Sequence, residues 1–127
     1  MLEQFSFLSF QDQLEIKGLI MTPNEPIGVL QIAHGMCEHK ERYIPFMEAM
    51  TKKGWICVIH DHRGHGESVK TQEDLGYFYD KSGTYVVEDV HQVTYLMKKR
   101  FPNLPYVLFG HSMGSLIVRA YTKKYDY

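Results

Sequence analysis

Gly110-His111-Ser112-Met113-Gly114 lies between a short apolar run, 106–109, and a stretch in which Leu116, Ile117, Ala120 and Tyr121 recur at helical spacing. A chain that passes from strand to helix through so few residues must turn sharply. A serine at the apex is then held in a strained conformation with its hydroxyl projecting. Side chains two positions before and after would collide as strand and helix close up; Gly110 and Gly114 remove them, and Ser115 keeps the next position small. By chance alone Gly-x-Ser-x-Gly arises in about one chain in twenty-five of this length. The strand before it and the helix after it therefore carry the weight of the reading. In that context Ser112 is the candidate nucleophile.

The rest of the chain supplies the layers such a junction needs. Phe5, Phe7 and Phe10 mark a first strand, 14–21 a second and 27–33 a third, with Thr22-Pro23-Asn24-Glu25-Pro26 as a turn between the last two. The period then changes. Tyr43, Phe46, Met47 and Met50 share one helical face, Pro45 suits the first turn, and Gly54 closes it. The run 55–59 is predicted as a strand buried on both faces, followed by a polar, Gly-rich loop over 61–83. Val86, Val90, Val93 and Met97 define a second helix. Glu88 and Asp89 near its start and Lys98-Lys99-Arg100 at its end complement the helix dipole, and Phe101-Pro102 stops it. The run 106–109 is predicted as another buried strand. Alternating strands and helices of this kind imply an α/β layered fold with a mostly parallel sheet. Ligands of such folds sit beyond the carboxyl ends of the strands.

Two further segments occupy that position. In His34-Gly35-Met36-Cys37-Glu38-His39, after the third strand, the backbone N–H of Met36 is a candidate oxyanion donor; the N–H of Met113, next to the nucleophile, is the other. The second segment is His60-Asp61-His62-Arg63-Gly64-His65-Gly66-Glu67-Ser68. Its His-x-His-x-x-His pattern matches the first part of metallo-β-lactamase-type zinc sites. Gly64 stands where those sites carry Asp, and no second ligand cluster follows. A hydrogen-bonded loop in which Asp61, His62, Gly64, His65 and Gly66 are structural is the better reading.

Together the three segments resemble the amino-terminal half of α/β-hydrolases of the monoacylglycerol lipase and lysophospholipase type, and the resemblance covers nearly the whole chain. It implies strand order 1-2-4-3-5 with the second strand antiparallel to its neighbours, the first helix on one face and the second and third on the other. It implies action on single-chain acyl esters of glycerol or on lysolipids, with no metal or organic cofactor. His34, Gly35, His39 and His111 would line the substrate-binding loops, while Gly110 and Gly114 shape the elbow. Cys37 departs from the small residue common at its position and is a loop variant, since nothing places a base beside it.

The resemblance also exposes a gap. A serine nucleophile needs a base and a carboxylate that orients it, in the chain order Ser, Asp or Glu, His. After Ser112 the chain offers Asp126 and no histidine. His34, His39 and His111 are poor substitutes, better read as loop hydrogen-bonding groups. The expectation is a single partial domain, 1–127, lacking the lid and the carboxy-terminal strands, with little turnover of its own. Its last strand would form an open apolar edge capable of self-association. A non-catalytic binding or assembly module that retains a hydrolase core is the alternative.

Charge and cysteine content narrow the partners. Fourteen Lys and Arg against fifteen Asp and Glu give nothing that would attract nucleic acid. No apolar run approaches a membrane span, and two cysteines are too few for a disulfide framework, which suits the cytoplasm.

Overall fold

In a computed structural model, which describes residues 2–76, 78 and 83–125, each predicted run takes its place in one sheet. The elements are β1 (Leu2–Leu8), β2 (Glu15–Met21), β3 (Gly28–Ala33), a 3-10 turn (Lys40–Tyr43), α1 (Ile44–Lys52), β4 (Trp55–His60), a second 3-10 turn (Gln72–Asp74), α2 (Thr84–Arg100), β5 (Tyr106–Gly110) and α3 (Met113–Lys124). The sheet order is β1-β2-β4-β3-β5. β2 runs antiparallel to β1 and β4, while β3 is parallel to β4 and β5. This is the expected topology. Phe10 falls outside β1, in the turn that follows it, and is mostly exposed.

Side-chain alternation divides the sheet into two apolar faces. Leu30 and Ile32 of β3, Cys57 and Ile59 of β4, and Leu19 and Met21 of β2 pack with Met47 of α1. Their neighbours Val29, Ile56, Val58 and Ile20 point the other way, onto Val93 and Met97 of α2. Ile117 and Tyr121 of α3 complete that second layer against Val86, Val87 and Val90 of α2. Each fully buried aliphatic side chain contributes about 1.5–3 kcal/mol. The unbroken burial of β3 and β4 explains why those runs read as continuously apolar.

Two expectations need correction. The run 106–109 is not buried on both faces. Tyr106 and Leu108 pack toward α2, but Val107 and Phe109 remain 42% and 40% exposed, because β5 is an edge and α1 covers only part of its other face. Phe46 of α1 reaches Phe109, with ring centroids 5.5 Å apart. Nor do Glu88 and Asp89 sit at the helix start. α2 begins at Thr84, which puts both in its second turn. Glu88 accepts from Lys124 Nζ and Tyr125 Oη, both at 2.5 Å, and Asp89 is fully buried.

Candidate active site

The turn after β5 has the strain that its sequence calls for. Ser112 holds φ 56° and ψ −119°, a region L-residues avoid and which costs about 1–3 kcal/mol. The residue is exposed. Local hydrogen bonds brace the turn: Gly114 N–H to His111 O at 2.9 Å, Ser115 N–H to Ser112 O at 2.9 Å, and Ser115 Oγ–H to the same oxygen at 2.6 Å.

The two glycines act in different places. A Cβ on Gly110 would lie 2.5 Å from Gly114 O, the strand-to-helix collision expected. A Cβ on Gly114 would lie 1.9 Å from Ala33 O and 2.7 Å from His34 O. Gly114 thus lets the start of α3 sit against the end of β3, the neighbouring strand. His111 N–H donates to Ala33 O at 3.1 Å in the same contact. The loop after β3 and the elbow are therefore adjacent: a Cβ on Gly35 would come within 3.2 Å of both Ser112 Cβ and His111 O.

Within the loop after β3, His34 is fully buried and uses both ring nitrogens. Nδ1 lies 2.8 Å from Gly35 O, and Nε2 lies 3.0 Å from His62 N. A carbonyl can only accept and an amide can only donate, so both contacts require the neutral Nδ1–H tautomer. Burial lowers the pKa of His34 in the same sense. Cys37 adopts φ 60° and is exposed. His39 is also exposed, 3.3 Å from Glu41. Met36 N–H and Met113 N–H donate to no other described residue. The Met113 amide is among the first of α3, where the helix itself offers no acceptor.

The loop after β4 is built for rigidity. Asp61, fully buried, accepts Lys40 N–H and Lys40 Nζ, each at 2.7 Å, and Glu67 N–H at 3.0 Å. Gly66, at φ 51°, leaves room for that carboxylate, since a Cβ there would sit 2.3 Å from Asp61 Cγ. Gly64, at φ 78°, carries the turn, with its N–H on Ser68 O. Burial disfavours the charge on Lys40, but Asp61, Glu67 and Glu41 outweigh it and raise the pKa above that of an ordinary lysine. His62 Nε2 donates to His34 O at 3.1 Å. His65 Nδ1 lies 3.2 Å from Arg63 O, and its Nε2 lies 3.3 Å from Met36 Sδ. An open cleft of about 370 Å³ separates this loop from Cys37, Glu38 and His39.

The sequence reading did not single out Arg63. It is fully buried and donates to Asp89 at 2.7 Å, to Asp12 at 2.8 and 3.0 Å, to Ser9 Oγ at 3.0 Å and to Phe78 O at 3.0 Å. It joins the β1–β2 connection, the loop after β4 and α2. One signal was available: Asp89 falls three residues after Val86, on the apolar face of the helix, where a carboxylate needs a buried cation. His60, fully buried, has no hydrogen-bond partner for either ring nitrogen among the described residues. The zinc pattern does not converge, for no group of three or more His, Cys, Asp or Glu among the described residues could hold a metal ion. Asp126 lies outside the described residues.

Comparison with known proteins agrees with this geometry. The family model described as serine aminopeptidase, S33 matches residues 24–127. A monoacylglycerol lipase of Mycolicibacterium smegmatis is 36% identical over 84% of this chain, and human monoglyceride lipase 34% over 72%; the matches cover 36% and 29% of those proteins. The chain thus spans about a third of the length of these curated relatives. Among solved structures, a thermostable carboxyl esterase from Bacillus coagulans superimposes with TM-score 0.85 at 35% identity, covering 95% of this chain and 39% of that one. A soluble variant of monoglyceride lipase from Saccharomyces cerevisiae, at 22% identity and TM-score 0.78, shares the fold over 98% of this chain and 39% of its own. The chain belongs to the serine aminopeptidase S33 family and is an α/β-hydrolase of monoacylglycerol lipase type, matched over the amino-terminal part of that fold.

Proposed function

We propose that these residues form the nucleophile and oxyanion side of a serine ester hydrolase acting on single-chain acyl esters of glycerol or on lysolipids. Ser112 Oγ attacks the ester carbonyl carbon, and the N–H groups of Met36 and Met113 receive the oxygen that becomes negative. The leaving alcohol departs, and water releases the acyl group from Ser112. The observation that carries this reading is the exposed Ser112 at φ 56° with the Gly35 loop against it. Ester rather than peptide chemistry is favoured because the relatives at 34–36% identity are lipases.

The proton leaving Oγ needs a base, and no histidine follows Ser112 in the sequence. His34 is engaged at both nitrogens, and His111 Nδ1 faces Glu38 at 3.5 Å. The 127 residues alone are therefore expected to turn over little ester. No described helix is long and apolar enough to cross a membrane. Cys37 and Cys57 are both free thiols, which suits a reducing cytoplasm.

The test is hydrolysis of p-nitrophenyl butyrate and of a monoacylglycerol by the longest translation product that contains these residues, beside its Ser112→Ala variant. The expected result is turnover that falls by about three orders of magnitude or more in the variant. Undiminished turnover refutes the assignment. The open edge of β5, with Val107 and Phe109 exposed, favours a second reading, a non-catalytic assembly module that pairs through that edge. A discrete dimer in sedimentation together with an inert Ser112 would select it.

A further inference from the structure

Gly35 and Met36 share one peptide unit. A trans peptide sets its C=O and N–H on opposite sides, so whatever grips the Gly35 carbonyl aims the Met36 N–H. Two donors grip that carbonyl, His34 Nδ1 at 2.8 Å and Glu38 N–H at 3.3 Å. Glu38 also holds the other side of Gly35. Its Oε1 accepts Gly35 N–H at 2.5 Å and Tyr43 O–H at 2.8 Å, and lies 3.5 Å from His111 Nδ1. Its Oε2 faces Arg42 Nε at 3.2 Å. One carboxylate thus touches the oxyanion loop, the entry to α1 and the nucleophile turn.

The chemistry of the groups agrees with the geometry. Burial would raise the Glu38 pKa, but the hydrogen bonds from Gly35, Tyr43 and His111 outweigh it and hold it below the ordinary carboxylate value. Burial, reinforced by that carboxylate, pushes the Tyr43 phenol up to about 12, so it stays a donor. The absence of a side chain at Gly35 fits the same contact, because a Cβ there would lie 2.8 Å from Glu38 Oε1.

We infer that Glu38 is the positioning residue of the oxyanion hole: by tying Gly35, Tyr43 and His111 to a single oxygen, it fixes the Met36 N–H relative to Ser112. The inference rests on Met36 acting as an oxyanion donor.

Its test has two arms. In amide NMR of the 127-residue chain, the Gly35 resonance titrates with a midpoint below that of an ordinary glutamate. Glu38→Gln abolishes the titration, and Tyr43→Phe keeps it but raises the midpoint. In the longest translation product, Glu38→Ala lowers kcat by about 10–100-fold with little change in KM, the loss expected for a hydrogen bond to a charged group. Glu38→Gln recovers part of it. A Gly35 resonance indifferent to acid, or an unchanged kcat in Glu38→Ala, overturns the inference. Should the Glu38 variants fail to fold, the wild-type and Tyr43→Phe titrations decide it. Failure of the underlying reading shows up separately, as turnover that survives Ser112→Ala while the Gly35 titration persists.

Discussion

The loops that leave β4 and β5 both follow parallel-layer strands at the same end of the sheet, yet residues 60–65 are all buried while His111 and Ser112 are both exposed. The β4 loop surrounds charges with partners: Arg63 with Asp12 and Asp89, Lys40 with Asp61 and Glu67. The turn after β5 has few partners beyond its own backbone and the end of β3, and it holds a strained serine in the open. One loop spends interactions on rigidity. The other is carried by it, since Lys40, His62 and His65 connect the β4 loop to the segment after β3 on which the elbow rests.

Removing Arg63 should give the largest effect. Arg63→Ala leaves Asp89 buried without its cation, and breaking a buried ion pair from one side costs about 3–5 kcal/mol. Urea unfolding should register that loss; a change below about 1 kcal/mol would mean the β4 loop is no more rigid than the elbow.

Acid should separate the regions next. Burial depresses the pKa values of His34 and His62 and lowers that of His60 to about 3. The native rings stay neutral while the unfolded chain takes up protons near pH 6.5, so the unfolded state binds more protons in between. Stability is full above about pH 6.5 and drains as pH falls toward 3. His60 alone contributes about 2 kcal/mol of loss between pH 7 and 5. The melting temperature should therefore fall steeply over that range, and His60→Phe should flatten the fall. An equal slope in the variant would remove His60 from the account.

The smallest effect belongs to the elbow and has the opposite sign. Ser112→Gly replaces a strained residue by one that adopts positive φ freely. After glycine's greater backbone entropy is subtracted, it should stabilise the fold by about 1 kcal/mol. A lower urea midpoint would show that Ser112 stores no strain, and the contrast between the loops would lose its sharper half.

Much of this was legible in sequence. The strands and helices followed from apolar spacing, whereas the strand order and the helix faces came from the family resemblance that the three quoted segments carry. The elbow was legible because its glycines act on near neighbours in the chain: Gly110 meets Gly114 and Ser115. Gly114 already goes beyond that, since the atoms it spares belong to Ala33 and His34. Val107 and Phe109 were read as part of a buried run although the last strand was expected to be an open edge, because an apolar run does not show how far a helix covers its face. Asp89 was misread as a dipole residue because its cation, Arg63, lies 26 positions away.

The sequence by itself determined the layers and the bent serine turn, because these depend on periodicity and on sterics within a few residues. Tertiary structure alone decided which charges could be buried and which loop lies beside the serine. Those outcomes depend on partners such as Ser9 and Asp89, 80 positions apart, and burial is tolerable only once folding has brought such partners within hydrogen-bond reach.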